Sequence, residues 1–234
     1  MFTLDAVVPW GRSFDEYQRM FALGADDLRL SILGCGDGPA SFNAEATRQG
    51  VLVTSCDPIY QFSADQLRQR IGETADGVLE QTRRNADEFV WTSIPSVEAL
   101  RDTRMAAMHA FLDDYTAGRS EGRYIDAALP ELPFADGAFD LALSSHFLFL
   151  YTSQLGADFH RRAIREMCRV AREVRVFPLL ALGGARSPLV DVAARELAAD
   201  GYHVSIDPVP YEFQRGANQM LRIRRDAAGH QPHA

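Results

Sequence analysis

Two rhythms of apolar residues alternate along the chain. Short runs such as Ile32-Leu33, Val51 to Val53 and Leu141-Ala-Leu143 place apolar side chains in succession, as strands buried on both faces of a parallel sheet do. Between them, apolar positions recur every three or four residues, the spacing of a helix with one buried side. Ser13 with Glu16 three residues on makes a capping box, opening a helix that runs to about Leu23. The pattern then predicts a strand over 27–33, a glycine loop over 34–39 and a helix over 40–49 closed by Gly50. A second strand over 51–56 is stopped by Asp57 and Pro58. This is a strand–loop–helix–strand unit of about thirty residues, the building block of a parallel sheet.

After Asp57 the rhythm changes. Ser63 caps a helix expected over 63–71, a second covers 76–85, and a third spans 96–115 with Val97, Leu100, Met105, Met108, Phe111 and Leu112 on its apolar side. Strand character returns at 123–125. Such a separation far exceeds an ordinary crossover. The excess reads as a helical insertion, 63–122, that caps the sheet's carboxyl edge, packs on the sheet's flank or forms a dimer contact, the cap being the expectation. Strand 139–144, helix 159–172, strand 174–182, a helix from Ser187 to Ala199 and strands 203–206 and 219–223 complete the pattern. His160 reads as a surface residue of its helix. The expected organisation is a single α/β domain over 1–226 and a polar, flexible tail over 227–234.

Composition narrows the function classes. A chain of 234 residues can bury a large core without disulfide or metal staples. Its formal charge of −8 argues against general nucleic-acid binding, which draws on phosphate neutralisation, although Arg222, Arg224 and Arg225 can form a local basic patch. Cys35, Cys56 and Cys168 are odd in number and form no Cys-x-x-Cys pair, so no metal site is expected and the thiols read as buried and reduced. The start of the chain, with Asp5 early, lacks a basic segment followed by an apolar core, and no apolar run nears the ~20 residues of a membrane span. A cytoplasmic protein without membrane contact is the expectation; oligomeric state is not addressed by these features.

The chemistry-bearing residues fall in a few places. Gly34-Cys-Gly36-Asp-Gly38-Pro joins a strand to a helix, so a ligand can meet backbone amides there. A dinucleotide fingerprint needs a third glycine where Pro39 stands, which disfavours NAD and FAD. Asp57 follows Gly38 by nineteen residues, the reach of a ribose-binding acid, though Asp-Pro is also an ordinary strand stop. His146 ends the segment Ser144-Ser-His146 at a strand's carboxyl end. It reads either as a general base with a pKa near ~6.5 or as a histidine bonded to backbone. Tyr151, a turn beyond, either lines the same pocket or packs as an aromatic. Trp10, Arg12 and Tyr17 either form a lid on the bound cofactor or pack in the ordinary way, and the dense loop Tyr211-Glu-Phe213-Gln-Arg215 can either reach a pocket or form a plain hairpin turn.

The stretch Leu132-Pro-Phe-Ala-Asp-Gly-Ala-Phe-Asp140, followed by Arg165-Glu-Met-Cys-Arg-Val170, resembles class I S-adenosylmethionine-dependent methyltransferases, in the style of their Leu-Pro-Phe-x-Asp-x-x-Phe-Asp subgroup. With the glycine loop and Asp57, the likeness covers about residues 28–60 and 123–183. It implies a Rossmann-like sandwich with a mostly parallel sheet and an antiparallel last strand. It implies S-adenosyl-L-methionine as cofactor, held by Gly34, Cys35, Gly36, Gly38, Asp57, Pro58, Leu129 and Ser144, and a small-molecule acceptor. Three positions depart from the pattern. The acid usual two residues before the first loop glycine is Ile32, the Asp of the adenine turn is Ala128 with Asp126 nearby, and Arg172-Glu-Val174 replaces the Pro-Gly-Gly turn. Methyl transfer, a non-catalytic binding protein on the same scaffold and, less favoured, a nicotinamide enzyme are the readings left open.

Overall fold

The computed structural model describes residues 8–225; Asp5 and the tail expected over 227–234 lie outside them. Seven strands form one sheet in the order β3-β2-β1-β4-β5-β7-β6. They are β1 Ser31–Cys35, β2 Leu52–Cys56, β3 Tyr124–Ile125, β4 Phe139–Ser145, β5 Ala171–Phe177, β6 Tyr202–Pro208 and β7 Gln219–Arg225. Neighbours from β3 to β5 pair in parallel; β7 enters between β5 and β6, antiparallel to both. The expected sheet, mostly parallel with an antiparallel last strand, is the one observed.

Strand alternation splits the core between the two faces. Ile32, Leu141 and Leu143 meet Phe14, Tyr17 and Phe42 on one side; Leu33, Cys35 and Ala142 meet Ile164, Met167 and Val190 on the other. The first face carries α1 Phe14–Met20 and α2 Phe42–Arg48, and the second carries α5 Thr152–Val170 and α6 Leu189–Ala199. A third cluster of Tyr60, Phe111, Tyr115 and Tyr124 closes the β3 end of the sheet.

Several boundaries differ from the sequence pattern for local reasons. β1 begins only at Ser31, because Asp27–Arg29 winds into a short helical turn. There the Asp27 carboxylate receives Arg175 Nη2 at 2.6 Å and the Gly24 amide at 2.9 Å. β5 ends at Phe177 because Pro178 has no N–H to donate to a ladder. α5 starts at Thr152 and is interrupted at Gly156, whose φ of 73° and ψ of 168° are not helical. His160, expected at the surface, is buried and bridges that break: its ring nitrogens lie 2.6 Å from the Gly156 carbonyl and 2.9 Å from that of Leu148.

The long excursion after β2 resolves into two helices, α3 Ala64–Arg84 and α4 Val97–Ser120. The two short helices expected over 63–71 and 76–85 are one, since Gly72 and Gly77 adopt ordinary helical backbone with open space about them. Ser63 caps α3 as its sequence suggests, and Ser96 caps α4 through the Ala99 amide. α4 packs on α2 and β3, and so acts as the crossover between β2 and β3; α3 is the true addition.

Candidate active site

The carboxyl ends of β1, β2 and β4 open into one cavity of about 580 Å³. Its floor is the glycine loop. Gly36 and Gly38 take φ of +69° and +54°, which residues with a Cβ rarely adopt. Gly34 is bare for another reason: a Cβ there would sit 1.7 Å from Asp37 Oδ2. The Asp37 carboxylate folds back over Gly34, where Tyr17 Oη donates to it at 2.8 Å and Ser55 Oγ at 2.6 Å. Burial pushes Asp37 up to about 6 against the pull of those two bonds.

Asp57 braces the loop from the next strand. It accepts the Gly38 amide and the Ile59 amide, each at 2.9 Å, the second capping the turn Pro58–Gln61. Tyr60 Oη donates to the Gly38 carbonyl at 2.8 Å. Burial raises Asp57 to about 6, with the charge of Asp126 adding to the effect and the two amides opposing it. Asp57 thus faces the cavity with part of its acceptor capacity committed to the loop.

At the end of β4, Ser145 and His146 line the cavity while Ser144 does not. Ser144 is fully buried and its Oγ has no hydrogen-bond partner among the described residues. His146 holds a left-handed φ of +52°, with its amide donating to the Phe177 carbonyl at 2.7 Å. Its Nδ1 lies 2.9 Å from Ser145 Oγ, which itself points its hydroxyl at Met20 Sδ, 3.9 Å away. The sequence suggests an imidazole near its ordinary value; burial, then the charges of Arg12 and Arg104, instead hold it well below 6.5.

A polar knot stands behind this corner. Arg104 on α4 is buried and pairs with Glu16 on α1. Glu16 also receives the Ser13 amide at 3.0 Å and Tyr211 Oη at 2.9 Å. Burial raises the Glu16 carboxyl, but the charge and hydrogen bond of Arg104 outweigh it, leaving it at about 2. Arg12 lines the cavity beside the knot; its Nη1 donates to the Trp10 carbonyl at 2.9 Å.

Much of the remaining lining is apolar, although Gln66, Gln69, Arg70 and Glu73 of α3 also contribute to it. Leu67, Val78 and Phe62 come from α3 and the turn before it, Phe89 and Leu100 from the segment that follows, and Phe213 from the loop before β7. That loop is stitched to the segment after α3, with Val90 N donating to the Phe213 carbonyl at 2.7 Å and Arg215 N to the Glu88 carbonyl at 2.8 Å.

Of the residues singled out in the sequence, Gly36, Gly38, Asp57, Pro58, Leu129, His146 and Tyr151 line this cavity. Gly34, Cys35 and Ser144 lie outside the lining: Gly34 beneath Asp37, and Cys35 and Ser144 fully buried in the sheet. Asp37, Ser145 and Arg104 were missed. Arg104 had a readable signal, since it stands four residues from both Leu100 and Met108 on the apolar stripe of α4, where a charge needs a buried partner. Among the described residues no cluster of metal-ligating side chains occurs and no helix is long and apolar enough to cross a membrane.

A sheet of this order, with a glycine loop and an acid at the ends of its first two strands, has the Rossmann-like architecture of class I S-adenosylmethionine-dependent methyltransferases, and residues 102–174 match the family model described as a methyltransferase domain. The uncharacterised protein MJ0045 of Methanocaldococcus jannaschii is 35% identical over 216 residues, covering 92% of this chain and 95% of its own. The chain belongs to the family of that archaeal protein. Among solved structures, magnesium protoporphyrin IX methyltransferase from Synechocystis PCC 6803 aligns at a TM-score of 0.44 and 12% identity, covering 91% of each chain. The mitomycin 7-O-methyltransferase MmcR aligns at 0.48 and 15%, over 91% of this chain and 54% of its own.

Proposed function

We propose that this chain moves a methyl group from S-adenosylmethionine to a small-molecule acceptor, with His146 as the proton acceptor. The carrying observation is one continuous cavity that joins the glycine loop and Asp57 to an apolar chamber, with His146 among the residues that line it. The residues present fit the cofactor. A Cβ on Gly38 would find nothing nearer than Asp57 Oδ2 at 4.0 Å, so the loop leaves room for a ligand between it and the acid. Gly36 and Gly38 approach the methionine and ribose parts, Asp57 accepts from the ribose, Pro58 and Leu129 flank the adenine, and Gly34, Cys35 and Ser144 support that frame from beneath. Asp37 stands in for the acid that Ile32 lacks. Tyr151 and the α3 wall cap the acceptor chamber, the role read for the 63–122 insertion.

The sulfonium of the cofactor supplies an already activated methyl group, so the protein's task is to align the acceptor and receive its proton. His146 Nδ1 lies 2.9 Å from Ser145 Oγ, and in the tautomer whose Nδ1–H donates to that hydroxyl, Nε2 is the proton acceptor. The depressed imidazole is neutral at pH 7 and takes a proton without first losing one.

A melting experiment tests the reading. S-adenosylhomocysteine at 100 times its dissociation constant is expected to stabilise the protein by ~2.7 kcal/mol, and NAD to leave it unchanged. No shift at millimolar S-adenosylhomocysteine would sink the proposal.

A further inference from the structure

Arg12 and Arg104 bring two guanidinium groups to one cavity, and the knot contains a single carboxylate to balance them. Glu16 is committed to Arg104, the Ser13 amide and Tyr211. Among the described residues Arg12 has no ion-pair partner. It makes one side-chain hydrogen bond, to the Trp10 carbonyl, and its Nε is closed off from solvent without a partner. Arg104 Nε is likewise sealed and unpartnered. A guanidinium carries five N–H donors and keeps its proton, so Arg12 holds most of its hydrogen-bonding capacity in reserve. Burial, then the neighbouring charge of Arg104, lowers Arg12 to about 10, which leaves it cationic but undercompensated. Arg12 is half-buried at the cavity wall, and a partly desolvated cation without an ion-pair partner gains when an anion arrives.

The charged residues of the cavity fall in three places. Asp37 and Asp57 sit at the glycine loop, Arg70 and Glu73 pair with each other on α3, and Arg12 and Arg104 sit beside His146, close enough to depress its imidazole. The same cavity is lined by the apolar side chains of Leu100, Phe89 and Phe213. Two cations against one anion leave a deficit of one negative charge, which a monoanion fills. The planar fork of a guanidinium matches a carboxylate.

We propose that Arg12, backed by Arg104, forms an anion subsite in the acceptor chamber, and that the acceptor is a small, largely apolar molecule bearing one carboxylate. This rests on the methyl-transfer reading for the word acceptor, but the subsite can be tested apart from it. The protein loaded with S-adenosylhomocysteine is titrated calorimetrically with benzoate and with benzamide, its uncharged counterpart. Benzoate is expected to bind at least about tenfold more tightly, the effect of a charge-assisted hydrogen bond in a buried place. Arg12→Gln removes the preference, and Arg12→Lys, which keeps the charge should the first variant fold poorly, retains it in part. Affinity for S-adenosylhomocysteine stays unchanged in both variants. If that affinity falls while the benzoate preference persists, the carboxylate served is the cofactor's own and the subsite proposal is overturned. Equal binding of benzoate and benzamide to the unsubstituted protein, or binding of neither, overturns it as well. Repeating the benzoate titration without S-adenosylhomocysteine separates the two readings: a preference that persists in a protein that does not bind S-adenosylhomocysteine upholds the subsite and removes the methyl transfer.

Discussion

His146 combines a place in the cavity wall with a strained backbone, and that combination can be measured. Its φ of +52° lies in the region that glycine enters freely and other residues enter at ~1–3 kcal/mol. His146→Gly is therefore expected to be more stable than His146→Ala by about 1 kcal/mol in urea unfolding, although it removes one more methyl group. Both variants lose methyl transfer by about 10²–10⁴-fold if the imidazole takes the proton. Equal stability of the two would mean that the turn carries no strain. The histidine itself was visible in the sequence, as the polar end of an apolar strand. Its strained φ and its depressed pKa were not, because both depend on Phe177, Arg12 and Arg104, which come from distant parts of the chain. Asp37 was hidden for a related reason. Nothing next to it in the chain marks its carboxylate as held, and only the fold brings Tyr17 and Ser55 to it.

At the level of elements, three helical glycines make opposite predictions. Gly72 and Gly77 lie inside α3 with open space where a Cβ would stand, so each change to Ala is expected to raise stability by ~0.5–1 kcal/mol. Gly118 lies inside α4, where a Cβ would meet Tyr124 at 2.5 Å and Arg123 at 2.8 Å; Gly118→Ala is expected to lower the melting temperature. A rise on Gly118→Ala would show that β3 and α4 can separate without cost. The caps and the strand–helix alternation were legible in the sequence because they rest on neighbours: Ser13 with Glu16, Ser63 with Gln66, Ser96 with the Ala99 amide. The ends of β1 and β5 were not, because a carboxylate needed by Arg175 shortens one and a proline shortens the other. The continuity of α3 was missed for a simpler reason, since two glycines in a polar helix look like breaks until the packing shows that its buried side, Leu67, Ile71, Ala75 and Val78, runs straight through.

For the molecule as a whole, the buried carboxyls set opposing pH trends. Asp37 and Asp57 rise from 3.8 to about 6 on folding, so their contribution to stability is fully present below about 3.8 and is lost as pH rises through about 6. Glu16 falls from 4.5 to about 2, so its contribution is present above about 4.5 and is lost as pH falls towards about 2. His146, held well below 6.5, opposes Asp37 and Asp57, because its contribution is present above about 6.5 and is lost as pH falls. With that group removed, the ligand-free His146→Ala protein is expected to melt at a higher temperature near pH 5 than at pH 7.5, with Asp57→Asn narrowing the difference and Glu16→Gln weakening the acid limb. A melting temperature that climbs steadily from pH 5 to 7.5 would contradict the assignment. The knot at Glu16 also has a bearing on how the molecule is made. Tyr211 joins Glu16 across 195 residues, and β6 pairs with no strand other than β7, which follows it in the chain. A ribosome adding ~5–20 residues per second delivers Tyr211 roughly 10–40 s after Glu16. Through that interval the Rossmann half can assemble around β1, β2 and β4 while the chamber still lacks a wall. The ability to hold an acceptor therefore arrives last, with the final hairpin, and a nascent chain stalled after α6 is expected to present the cofactor end of the site without the place where its methyl group would go.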